Sequence, residues 1–217
     1  RDGALMDDAL LALGIDDAPR AFVKWFASFQ EPDGRVPCCI DARGADPVPE
    51  HDSPGQLLYA IVSLYRHDHD VARLRELWPN VVRAVAFLES LRSQRLGDAW
   101  RTPEKRRYYG LLPESISHEG YWKRPVHSYW DDSWALLGLK EAVAAATALG
   151  EHAEAARFAA LHDAFRRDLR SSIEATMRHF QLATIPASAD LGDFDPTATS
   201  IAIAPGRAQS LFPAAAL

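Results

Sequence analysis

Val81-Val82-Arg83-Ala84-Val85-Ala86-Phe87-Leu88-Glu89-Ser90-Leu91 decides the fold class. Its apolar residues Val81, Val85, Leu88 and Leu91 are spaced to line one face of a 3.6-residue helix, whereas a strand would send such a set to both sides. The same spacing recurs on either side. Met6, Leu10 and Leu13 form one stripe, Phe22, Phe26 and Phe29 another, and Leu57, Ile61 and Leu64 a third. Further on come Leu136, Leu139 and Val143, then Phe158, Leu161, Phe165 and Leu169. No stretch of alternating period competes with them. The stripes predict helices near 3–13, 17–30, 54–67, 70–95, 132–149 and 152–178, and a short one near 196–203.

Punctuation falls at the same boundaries. Asp16-Asp17-Ala18-Pro19 places acids and a proline in a first helical turn, and Ser53-Pro54 reads as an N-cap followed by proline at N1. Gly14 and Gly150 stand just past the ends of stripes, where a left-handed residue closes a helix. The helices pair into hairpins through the short links Gly14-Ile15, His67-Asp68-His69-Asp70 and Gly150-Glu151. Between pairs the links are long, about 31–52 and 96–131, and long links inside compact domains usually carry function. The expectation is one all-α domain over residues 1–217.

At 217 residues with 47% hydrophobic content the chain supports one sizeable core, and no apolar run of bilayer length appears. A soluble protein is expected, with cytoplasm or periplasm left open. The net charge of −6, with no basic stretch interleaved with aromatics, argues against nucleic acid as a partner and gives no reason to expect a membrane surface. Cys38 and Cys39 are adjacent, a poor geometry for an unstrained disulfide, and are expected to be free thiols.

Acids, histidines and aromatics collect in the long links. The first holds Pro49-Glu50-His51-Asp52-Ser53-Pro54-Gly55-Gln56. The second runs from Gly110 through Glu114-Ser115-Ile116-Ser117-His118-Glu119-Gly120-Tyr121-Trp122 to His127-Ser128-Tyr129-Trp130-Asp131-Asp132. Sugars present apolar ring faces and a rim of hydroxyls, so a site for them needs flat aromatics and hydroxyl-binding acceptors. Tyr121, Trp122, Tyr129 and Trp130 supply the first; Glu114, Glu119, Asp131, Asp132, His51, His118 and His127 supply the second. Cleavage of a glycosidic bond needs two carboxyl groups, one protonated and one ionised. Glu119, beside Gly120 and among aromatics, is the expected acid because desolvation raises a carboxyl pKa. Asp132, at a helix start whose dipole favours the anion, is the expected base. Competing structural roles are plain. Asp52, Asp131 or Asp132 serves equally as an N-terminal helix charge, Trp134 as core, and His67 and His69 as solvated turn residues. No histidine or cysteine spacing points to a metal, and no organic cofactor is implied.

Arg1-Asp2-Gly3-Ala4, Asp52-Ser53-Pro54-Gly55-Gln56, Ser115-Ile116-Ser117-His118-Glu119-Gly120-Tyr121 and His127-Ser128-Tyr129-Trp130-Asp131-Asp132 together resemble bacterial six-hairpin glycosidases, the glucoamylase-like (α/α)6 toroid superfamily. The resemblance runs along essentially the whole chain, to Asp195-Pro196-Thr197-Ala198-Thr199. It implies two concentric rings of helices, an active-site funnel at the inner-helix N-termini, an oligosaccharide or polysaccharide substrate, and hydrolysis usually with inversion. By position it implies Arg1 and Asp2 as sugar contacts, Asp52 and Gln56 as cleft residues, and Glu119 with Asp132 as the acid/base pair. A closed ring of twelve helices and their loops needs roughly 350–450 residues. The chain is therefore expected to form an incomplete toroid of about three to four hairpins, its open edge covered by the rest of its polypeptide or by a second copy. A non-catalytic carbohydrate-binding or structural module, and a sugar phosphorylase or epimerase on the same fold, are the competing expectations.

Overall fold

The computed structural model describes residues 2–48, 50–116, 121 and 123–216. The described residues form α1 (Asp2–Ala12), α2 (Asp17–Ala27), α3 (Ser53–Asp68), α4 (Val71–Ser93), α5 (Tyr129–Ala148), α6 (His152–Phe180) and α7 (Pro196–Ile203). The expected helices are all present, with ends shifted by a few residues. The only sheet among them is a two-stranded ribbon, β1 (Ile40–Asp41) against β2 (Gly44–Ala45), antiparallel, with Ile40 opposite Ala45. No helix among the described residues is long and apolar enough to cross a membrane.

Helix ends follow local chemistry. Gly14 and Gly150 adopt φ of 75° and 72°, the left-handed turn read from the sequence. Asp70 caps α4 by accepting from the Arg73 N–H at 2.9 Å, and Asp195 caps α7 by accepting from the Thr197 N–H at 2.8 Å. Ser53 departs from expectation. It lies inside α3, and its hydroxyl donates to Asp52 Oδ1 at 3.1 Å instead of receiving a helix N–H.

Packing alternates with hairpin number. α1, α3, α5 and α7 touch in succession, while α2 lies against α1 and α3, and α4 against α3 and α5. α6 packs along α5. Burial agrees with this two-layer order: every residue from Ser53 to Leu64 of α3 and from Tyr129 to Leu139 of α5 is buried. α4, by contrast, buries one stripe that includes Leu74, Val81, Val85, Leu88 and Leu91. The stripe Met6, Leu10 and Leu13 is not the covered face of α1. α1 buries Ala4, Asp7 and Leu11, while Met6 and Leu13 stand 62% and 76% exposed. α1 mixes aspartates and apolar residues on both its covered and its exposed side, so its spacing alone does not name the core face.

Candidate active site at the N-termini of α3 and α5

Two glycines bring the acid-bearing turns together. A Cβ on Gly55 would meet the Trp134 carbonyl oxygen at 2.2 Å, and one on Gly138 would meet the Gly55 Cα at 2.7 Å. α3 and α5 therefore touch backbone to backbone, which side chains at these positions would prevent. The result is visible one turn away, where Trp130 Nε1 donates to Asp52 Oδ2 at 2.8 Å. Gln56 Nε2 donates to the same oxygen at 2.7 Å, so Asp52 is buried yet fully engaged.

Asp131 and Asp132 fasten the link that precedes α5. The Ser115 hydroxyl donates to Asp131, and the Leu112 N–H donates to Asp132 Oδ1 at 3.0 Å. Ser115 and Val126 exchange two backbone hydrogen bonds of 3.0 Å, closing the base of the loop between them. The other oxygen of Asp132 is buried and has no hydrogen-bond partner among the described residues. Burial pushes the Asp132 carboxyl up to about 8, against the pull of the Leu112 N–H and Arg92. Asp131 is raised well above the aspartate range by burial and then by the Asp52 charge, and burial raises Asp52 as well. The expectation of an ionised Asp132 is thus corrected: desolvation outweighs the helix dipole, and the group holds a proton near neutral pH.

A second cluster adjoins the first. Arg95 Nε donates to His127 Nε2 at 3.2 Å, its guanidinium pairs with Glu114, and it stacks 4.3 Å over Trp100. A guanidinium only donates, so His127 Nε2 accepts and the proton sits on Nδ1, shared with Asp190 Oδ2 at 3.1 Å. The His127 backbone N–H also donates to Asp190 Oδ2, at 2.6 Å, and Tyr108 stacks on the imidazole at 4.5 Å. His51, 7% exposed, is pushed down to about 4 by burial and then by Arg95. Glu114 behaves oppositely. Partial burial disfavours its charge, but its own backbone N–H, His127 and Arg95 hold it below the ordinary glutamate range.

The structure gathers most of the expected site residues. His51, Asp52, Gln56, Glu114, His127, Trp130, Asp131 and Asp132 belong to these two clusters, and Asp2 lines a cavity of about 340 Å³ with Gln56, Trp25 and the free thiols Cys38 and Cys39. Tyr121 donates to Asp193 Oδ2 at 2.5 Å. Tyr129 is a correction: its buried hydroxyl shares hydrogen bonds of 2.8 Å with Ser172 and with Thr176, so it joins α5 to α6 instead of facing a ligand. Arg1, His118, Glu119 and Trp122 lie outside the described residues. Among the described residues no group of three or more His, Cys, Asp or Glu is arranged to hold a metal ion.

Arg95, Asp190 and Asp193 were not anticipated. Arg95 falls just past a helix end, where a lone arginine gives no signal. Asp190 and Asp193 sit in the link between α6 and α7, whose Ser188 bridges to Ser128 beside α5. The available clue was that this link, though shorter than the other two, also leads into an odd-numbered helix and carries acids. Chemically the site offers a carboxyl that burial pushes up to about 8, a carboxylate held below its ordinary range beside Arg95, and a histidine fixed in one tautomer. The chain matches no known family model and no curated protein.

Proposed function

We propose that the chain is an arc of an (α/α) toroid and that it hydrolyses glycosidic bonds by carboxyl acid/base chemistry, with inversion. The toroid reading is supported by the succession of odd-numbered helices, the even-numbered helices laid against them, and the long links that all lead into odd-helix N-termini. One observation carries the chemistry: a buried oxygen of Asp132 with no hydrogen-bond partner among the described residues, on a carboxyl that burial pushes up to about 8. A stored proton of this kind suits a general acid. The roles expected from sequence are therefore exchanged, with Asp132 as donor and Glu119 as the carboxylate that activates water.

The test is a panel of α- and β-linked oligosaccharides, with the anomer first released followed by NMR. Inversion is expected, with Asp132→Asn and Glu119→Gln each lowering kcat by at least about a hundredfold. Unchanged turnover in either variant refutes the role given to it. A second reading, sugar binding without cleavage, draws on the hydrogen bonds that Asp131 and Asp132 make to Ser115 and Leu112. Calorimetric binding of an oligosaccharide with no product released would select it.

A further inference from the structure

α5, α6 and the segment after α7 enclose a pocket of about 150 Å³, reached by Ser133, the residue after Asp132. Its polar walls carry the cations Lys140 from α5, Arg166 from α6 and Arg207, with His162, Ser133 and Ser210 beside them. No aspartate or glutamate among the described residues lines it, in a chain whose net charge is −6. Lys140, Arg166 and Arg207 form no ion pair with a carboxylate among the described residues. Among the described residues the Lys140 ammonium donates to the Gly206 carbonyl alone, at 3.4 Å, and Arg166 donates to the Ser210 hydroxyl at 2.5 Å. Elsewhere in the same molecule Arg66, Arg73, Arg75, Arg92 and Arg95 all have carboxylate partners.

Arg207 is also held at φ of 51°, a left-handed conformation that glycine or asparagine adopts more cheaply. Lys140 and Arg207 line a second cavity as well, of about 860 Å³, whose other walls include Asp8, Tyr59, Ser63 and Glu141. Those hydroxyl and carboxylate groups suit a polyhydroxylated molecule, while clustered cations lacking partners suit an oxyanion.

We propose that this pair of cavities binds a phosphate monoester of a polyol, the phosphate held by Lys140, Arg166 and Arg207 and the polyol lying in the larger cavity. Neither cavity is lined by Asp52, Asp131 or Asp132, and binding there does not depend on glycosidase activity. Calorimetry and thermal melting at matched ionic strength, with inorganic phosphate, sulfate, glucose 6-phosphate and glucose as probes, test it. Glucose 6-phosphate is expected to bind, at least about tenfold tighter than inorganic phosphate, and to raise the melting temperature. Arg207→Gly, which suits the backbone, and Lys140→Gln are each expected to weaken it about tenfold or more while melting near the parent temperature. No binding of either phosphate probe overturns the proposal, as do parent-like affinities in both variants. Sulfate binding as tightly as glucose 6-phosphate would also overturn it, since a bare anion site needs no polyol.

Discussion

Gly55→Ala places a methyl group where α3 and α5 meet, and the structure fixes what it encounters. The new Cβ would stand 2.2 Å from the Trp134 carbonyl oxygen and 2.5 Å from its carbon, both backbone atoms of a buried helix. Ordinary contact requires about 3.5 Å, so the helices must part by roughly 1 Å along a seam that is buried on every side. Overpacking of this kind costs about 3 kcal/mol, and the better helix propensity of alanine returns about 1 kcal/mol. The net loss of about 2 kcal/mol lowers the melting temperature by roughly 4–8 °C for a chain of this length. Urea unfolding followed by circular dichroism measures it. Gly97→Ala is the control: nothing lies within 4 Å of its added Cβ, and its φ of −71° and ψ of 162° suit alanine. That variant should gain about 0.4–1 kcal/mol. A Gly55→Ala protein as stable as its parent, with the control behaving as stated, would refute backbone-to-backbone contact as the device that brings Asp52 to Trp130.

Other expectations follow from single contacts. Tyr129→Phe removes the hydroxyl shared by Ser172 and Thr176 and should cost about 1–2 kcal/mol in urea unfolding, with sugar binding unaltered. Arg92 is buried, pairs with Asp168 and donates to the Gly110 carbonyl at 3.1 Å; Arg92→Met should cost about 3 kcal/mol by stranding those partners.

The helices were legible because each combined a 3.6-residue stripe with local punctuation, as at Gly14 and Gly150. Such signals depend on neighbours in sequence only. The face of α1 was not legible, because Met6, Leu10 and Leu13 (+4, +3) and Ala4, Asp7 and Leu11 (+3, +4) both keep a helical period, and only α2 and α3 decide which set is covered. Acids and histidines of the site were legible as a concentration of chemistry in long links. Their protonation was not. Asp132 at a helix start reads as an anion, and it is burial, a property of the assembled α5 and its surroundings, that reverses this. Arg95 and Asp190 escaped for the same reason, since their meaning lies in His127, distant from both in sequence.

Whether Asp132 is a stored proton or a structural tether can be settled by stability as a function of pH. An aspartate that titrates near 3.8 when unfolded and about 8 when folded destabilises the fold progressively from pH 4 to pH 8, because the unfolded chain ionises first; above pH 8 the loss is constant. Asp7, raised to about 6 by burial, acts in the same direction but its effect is complete near pH 6. The windows therefore separate the two residues. Asp7→Asn should gain stability over its parent from pH 4 to pH 6 and hold that gain beyond. Asp132→Asn should go on gaining between pH 6 and pH 8, by about 2–3 kcal/mol at roughly 1.4 kcal/mol per unit. Its amide oxygen can still accept from Leu112, so the tether survives while the proton does not. A gain in that upper window accompanied by lost turnover marks a carboxyl that the fold carries at a cost, as functional groups are carried. A flat difference across pH 6–8 would show that Asp132 is ionised in the folded chain, and with it the assignment of Asp132 as proton donor would fall.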